Sequence, residues 1–136
     1  MPKFKLIEHT ADIGLTAYGA TLAEAFANAA YGMFSIMAEL GKVKEKESRS
    51  LELKEADAEA LLFEWLNSLL YYFDVETLLF KRCDVRLLDG NKLKATCYGE
   101  KYDPARHQLK LGVKAATYHL LKVDRDKNQV QVIFDV

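Results

Sequence analysis

Apolar and polar positions alternate over short runs near both ends of the chain and recur at helical spacing in two longer stretches between them. Lys3-Phe4-Lys5-Leu6-Ile7-Glu8 is short and mostly alternating, and residues 13–19 read as a second extended piece closed by a glycine. A polar turn, His9 to Asp12, is expected between them. Thr21-Leu22-Ala23-Glu24 is a capping box: the Thr21 hydroxyl can accept from the amide three residues on, and the Glu24 side chain can reach back to the cap amide. Leu22, Ala25, Phe26, Ala29, Ala30, Met33, Phe34 and Met37 then follow helical spacing, and Gly41 is the expected stop.

Residues 47–54 alternate again, as a strand with one wet face does. Asp57 is placed to cap a second helix, with Glu59 favourably set against the helix dipole. Leu61, Leu62, Trp65, Leu66, Leu69, Leu70 and Phe73 make its apolar stripe, the best candidate for the centre of the core. Residues 78–88, 92–99, 109–124 and 129–135 read as strands. The order predicts an α+β fold: one domain over residues 1–136, with two α-helices packed on a largely antiparallel β-sheet or sandwich.

Loop length sets register across the turn at Asp89-Gly90-Asn91. A two-residue loop would oppose Leu87 and Lys92 and mix the faces. A three-residue loop opposes Leu87 to Leu93, Val85 to Ala95 and Cys83 to Cys97, which keeps one face apolar, and is preferred for that reason. It brings two thiols within reach of one another, although opposition alone does not guarantee disulfide geometry.

Composition narrows the classes. Half of the 136 residues are hydrophobic and 29% are charged, a globular balance rather than that of a disordered chain. With 19 basic and 20 acidic residues the formal net charge is -1, so the large positive field behind non-specific nucleic-acid binding is missing and any RNA contact is expected to be indirect, weak or local. The first residues carry no apolar leader, and the most apolar later stretch, 61–73, is short and interrupted by Glu64, Asn67 and Ser68. No membrane association is expected, and a cytoplasmic location is. In that compartment Cys83 and Cys97 are expected as buried free thiols, and their spacing does not suit zinc.

Candidate chemistry concentrates at the two ends. If the first and last strands are neighbours, Asp12, Asp135 and the α-carboxylate of Val136 converge, and three hard oxygen groups suit Ca²⁺ or Mg²⁺. The ordinary alternative is a turn residue bonding nearby amides and a solvated charge at a chain end. His9 either orients such a site, approaches a partner, or bonds backbone in its turn. Arg106 and His107, following Pro104, either bind a phosphate or an acidic partner patch or stand solvated in a loop. His119 alternates in phase with Val113, Ala115 and Thr117 and is expected to face inward as a hydrogen-bonded structural histidine, which leaves Lys114 as the better contact candidate.

Several blocks, taken in order, carry a resemblance. They are His9-Thr10-Ala11-Asp12-Ile13-Gly14, Ala17-Tyr18-Gly19, residues 25–34, Trp65-Leu66-Asn67, Gly99-Glu100, Asp103, Arg106-His107, residues 113–119 and Ile133-Phe134-Asp135-Val136. Together they resemble the archeases, accessory proteins of RtcB-type RNA ligases. The resemblance implies an archease-like fold and an activator that promotes guanylylation and multiple turnover of the ligase in tRNA splicing and RNA repair. The ligase keeps the covalent chemistry, so no catalytic residue is expected here. It also implies a divalent cation, Ca²⁺ first with Mg²⁺ or Mn²⁺ as alternatives, at Asp12, Asp135 and the Val136 carboxylate. Gly112 departs from the family pattern, which carries an acidic residue before Val113.

Two other readings compete. A stand-alone metal-dependent hydrolase or nucleotidyl-transfer enzyme would use the same carboxylates, but no Gly-rich phosphate loop, nucleophile elbow or His-Glu-x-x-His motif is present. An RNA-binding chaperone is disfavoured by the charge balance.

Overall fold

A computed structural model describes residues 2–9 and 12–136, the side chains of Glu8 and His9 excepted. Strands β1 (Phe4–His9) and β2 (Asp12–Tyr18) come first, so His9 and Asp12, the two ends of the expected turn, are strand residues, and its middle, Thr10 and Ala11, lies outside the described residues. There follow α1 (Leu22–Met37), β3 (Glu47–Lys54), α2 (Ala58–Glu76), β4 (Leu78–Leu88), β5 (Lys92–Lys101), β6 (Ala115–Ala116), β7 (Lys122–Asp124) and β8 (Gln129–Asp135). The strands form two antiparallel sheets, one ordered β1-β2-β8-β6 with β7 also paired to β8, the other β3-β5-β4. Both helices touch both sheets, so the α+β architecture is a sandwich with the helices as its filling.

Local chemistry explains the helix starts. Thr21 Oγ1 accepts from the Glu24 amide at 3.1 Å, as the capping box requires, but the Glu24 carboxylate accepts from the Ala20 amide at 3.1 Å, one residue earlier than expected. Asp57 caps α2 by accepting from the Ala60 amide at 2.8 Å. Glu59, expected only to complement the dipole, also accepts from the Val123 amide at 2.9 Å and so ties α2 to β7. α1 stops before Gly41: Ala38 is already extended and bridges Leu109, and Gly41 lies in a separate 3-10 turn, Leu40–Lys42.

Trp65, Phe26, Phe34 and Met33 are completely buried between the sheets. Each such side chain contributes about 1.5–3 kcal/mol of transfer free energy. Trp65 Nε1 donates to the Phe26 carbonyl at 2.9 Å, which joins the helices without leaving a buried donor unpaired. Gly32 lets α1 approach β1 and β2 closely, because a Cβ there would lie 2.9 Å from both Leu15 Cδ1 and Phe4 Cγ.

The β4–β5 hairpin has the three-residue loop, with Leu87 opposite Leu93, Val85 opposite Ala95 and Cys83 opposite Cys97. Both cysteines are free thiols. By contrast, residues 109–124 do not form one strand. Thr117 still bonds Ile133, and Lys122 faces Gln131 further along β8, but residues 118–121 leave the ladder in a turn with Leu120 at φ 55°. Stacking of Tyr118 on Phe63 of α2, with centroids 4.1 Å apart, holds that excursion. His119 therefore lies exposed in a turn rather than facing the core. No helix among the described residues is long and apolar enough to cross a membrane.

Candidate functional site

The alternation of β2 and β8 determines where the carboxylates go. Ile13, Leu15 and Ala17 face the core and pair with Phe134, Val132 and Val130, so Asp12 and Asp135 fall on the opposite face. They are direct register partners across the antiparallel pair. Directly opposed residues place their Cβ atoms about 4.5–5.5 Å apart on one face. His9 is the partner of Asp12 on β1, and Ala115 is the partner of Asp135 on β6. One row across the sheet thus reads His9, Asp12, Asp135, Ala115.

Next to this row on the same face, Ile7 and Ile133 close over Gly14, where a Cβ would meet Ile133 Cδ1 at 2.8 Å and Ile7 Cβ at 3.0 Å. The carboxylate row is therefore wet on one side and bordered by apolar side chains on the other. Asp135 is exposed and Asp12 half-buried, while Val136 is half-buried with its side chain against the core. Lys114 lies beside them: it is exposed, and its amide donates to the Asp135 carbonyl at 2.8 Å.

Like charges directly opposed across a ladder destabilise it. A hard divalent cation is the species that turns such a pair from a cost into a binding site, since carboxylate oxygens are its preferred ligands. Two carboxylates do not complete a coordination shell, and no group of three or more His, Cys, Asp or Glu that could hold a metal occurs among the described residues. The donor set fits a cation only if other oxygens, the Val136 carboxylate and water, join it.

Asn67 has no role in the sequence reading beyond the family blocks, yet it positions this edge. Its Oδ1 accepts from the Ala116 amide at 2.9 Å and its Nδ2 donates to the Ala116 carbonyl at 3.2 Å. This amide clamp ties β6, with Lys114 just before it, to α2. The signal that could have found it is a carboxamide on the margin of an apolar helical stripe, in Trp65-Leu66-Asn67.

Arg106 and His107 belong elsewhere. His107 is buried, not exposed in a loop: its Nδ1 accepts from the Asp103 amide at 2.9 Å, which leaves Nε2–H to donate to Glu100 at 2.9 Å. Arg106 forms an ion pair with the same carboxylate and with Asp103. Glu100 is only 3% exposed and also accepts from the Lys44 amide at 2.8 Å. Burial opposes its ionisation, but the bonds from Arg106, Lys44 and His107 prevail and hold its pKa down at about 2. The pair expected to meet a phosphate or an acidic partner is engaged by a carboxylate of its own chain.

Comparison with known proteins bears on the whole chain. Residues 4–136 match the Archease protein family (MTH1598/TM1083). The chain is 43% identical over 137 residues to a protein archease of Sulfurisphaera tokodaii, covering 100% of this chain and 99% of that one. It is 45% identical over 128 residues to the protein archease of Thermococcus kodakarensis, covering 92% and 90%. The solution structure of Methanobacterium thermoautotrophicum protein 1598 superposes with a TM-score of 0.81 at 33% identity over 100% of both chains. The crystal structure of an archease from Thermotoga maritima, described as a possible chaperone, gives a TM-score of 0.64 at 25% identity over 97% of this chain and 96% of that one. Continuous similarity of this extent, in sequence and in fold, shows that the chain belongs to the archease family.

Proposed function

We propose that this protein activates an RtcB-type RNA ligase, promoting its guanylylation and multiple turnover, through a divalent-cation site at Asp12, Asp135 and the carboxylate of Val136. The observation that supports the reading is the register pairing of Asp12 with Asp135 on the outer face of β2 and β8. Calcium is the first candidate, with magnesium or manganese as alternatives, because all the donors are hard oxygens. In this reading the two aspartates hold the cation, and the sheet beneath keeps them aligned. His9 continues the row on β1 and Lys114 lies beside its other end, where a ligase surface would approach. An activator must bind one state of its partner better than another, so the carboxylate edge has to meet the guanylylation-competent ligase preferentially. The protein itself performs no covalent step and works as an accessory factor in the cytoplasm.

The test is formation of the guanylylated ligase from GTP, with this protein added in substoichiometric amount. Faster formation is expected, and Asp12→Ala should abolish the stimulation while keeping the thermal transition. A C-terminal extension should weaken cation binding more than an N-terminal one does; equal affinity would remove Val136 from the site. A ligase that turns over equally fast without the protein would refute the activator reading, and hydrolysis of GTP or RNA by the purified chain alone would establish the metal-dependent hydrolase instead.

A further inference from the structure

The sheet β3-β5-β4 buries one face against the helices and leaves most of the other uncovered. Leu51, Leu53, Leu93, Ala95, Cys97, Val85 and Leu87 point inward, so the alternate residues point out. Four rows cross that outer face: Ser48, Tyr98 and Arg82; Ser50, Thr96 and Asp84; Glu52, Lys94 and Arg86; Lys54, Lys92 and Leu88. All are exposed except the half-buried Thr96 and Tyr98.

Charge is segregated here. The whole chain carries -1, whereas these twelve positions hold five basic residues, Lys54, Arg82, Arg86, Lys92 and Lys94, against two acidic ones, Glu52 and Asp84. Arg82 is neutralised by Glu45 and Asp84, and Lys94 meets Glu52 at 3.5 Å. Among the described residues, Lys54, Arg86 and Lys92 form no ion pair. Moreover, Lys54 is the register partner of Lys92, and Arg86 that of Lys94. Glu52 offsets the second of these oppositions, but no acid shares the row of Lys54 and Lys92, and that like-charged pair costs stability in the free protein, a cost that a bound polyanion relieves.

The shape is suited to a strand rather than to a point anion. Outward side chains recur every second residue, about 6.6 Å along each strand, a spacing comparable to the phosphate repeat of an extended single strand. A shallow hollow of about 330 Å³, whose charged lining is Glu52, Asp84, Arg86 and Lys94 and whose hydroxyl lining is Ser50, Thr96 and Tyr98, runs between the basic rows and the hydroxyl rows. The hydroxyls of Ser48 and Tyr98, and those of Ser50 and Thr96, which bond one another at 2.9 Å, offer donors and acceptors for a ribose 2′-hydroxyl, and the Arg82 guanidinium, which lies over the Tyr98 ring 4.1 Å from its centroid, offers a planar partner for a base. The two carboxylates of this face, Glu52 and Asp84, are paired with Lys94 and Arg82, and Asp12 and Asp135 belong to the other sheet.

We propose that the outer face of β3-β5-β4 binds single-stranded RNA, its phosphates on Lys54, Arg86, Lys92 and Lys94 and its sugars toward the hydroxyl rows. The inference uses no ligase and stands or falls independently of the activator reading. It is tested by fluorescence anisotropy of a short labelled oligouridylate with the purified full chain, titrated at several salt concentrations. Weak binding is expected, with log affinity falling against log salt at a slope of about -2 to -3, as three or four neutralised phosphates require. The double variant Lys54→Glu/Lys92→Glu should lose at least tenfold in affinity while its Tm is unchanged, and Arg86→Glu should lose affinity independently. Lys54→Glu alone removes one like-charge pair and should raise Tm, which separates a lost contact from a lost fold. No binding at low salt, unchanged affinity in the double variant, or a flat salt response would overturn the proposal. Equal affinity for the corresponding oligodeoxynucleotide would overturn the assignment to RNA.

Discussion

Replacing Glu100 by Gln preserves shape and removes one buried charge, and its cost can be worked out from the groups around it. Arg106, His107 Nε2–H and the Lys44 amide all donate to this carboxylate. A glutamine has one acceptor oxygen and an NH₂ group, so at least one of these donors would face another donor. Holding the Glu100 pKa at about 2 instead of its ordinary 4.5 corresponds to roughly 3 kcal/mol at ~1.4 kcal/mol per unit. Arg106 is 35% exposed, and water screening there brings the expected loss nearer to about 2 kcal/mol. For a chain of this size that lowers Tm by roughly 6–10 °C. Because the folded pKa lies below the unfolded one, the contribution is complete above about pH 4.5 and disappears as pH falls toward about 2. Urea denaturation followed by circular dichroism should therefore show a gap between wild type and Glu100→Gln that is full at neutral pH and closes on acidification. A variant within about 0.5 kcal/mol of wild type at neutral pH, or a gap that stays constant down to about pH 2.5, would refute the account.

Two further expectations concern the core and the edge. Asn67→Ala leaves the Ala116 amide and carbonyl without their clamp, so stability should drop by about 2 kcal/mol. Amide exchange should rise at Lys114 and Ala116 ahead of the rest of β8's neighbours; unchanged exchange there would mean that β6 does not depend on α2. Burial pushes the Cys83 thiol well up, and Cys97 beside it is fully buried, so a disulfide-exchange reagent should modify the native protein slowly and the unfolded protein at once. Rapid labelling of both thiols in the native state would contradict that burial.

What the amino-acid pattern reveals is what short-range geometry determines. The opposition of Cys83 and Cys97 follows from a three-residue loop and an alternation that must keep Leu87, Val85, Leu93 and Ala95 on one side. Residues 109–124 mislead for the opposite reason: their pattern continues through 118–121, while the turn there is held by Phe63 on a distant helix. Glu100 is hidden similarly. Alternation through Leu93, Ala95 and Cys97 assigns it to the wet face, and it is buried because the segment entering β3 crosses over it, supplying the Lys44 amide. With Glu100 unseen, its partners Arg106 and His107 read as loop charges.

The Asp12–Asp135 pair lies between these cases. No local pattern says that β2 and β8 are neighbours, since the two strands stand at opposite ends of the chain, and only the resemblance pointed there. Once they are neighbours, however, the pattern admits little choice of register. Sliding β8 by one residue would set Asp12 opposite Phe134 and turn Phe134, Val132 and Val130 away from the helices. Several fully buried side chains, each contributing about 1.5–3 kcal/mol, oppose that slip, whereas the repulsion between two carboxylates at the wet end of the ladder is worth about 1 kcal/mol or less. The hydrophobic core thus imposes the juxtaposition of the two charges, which in the proposed function a cation would bridge.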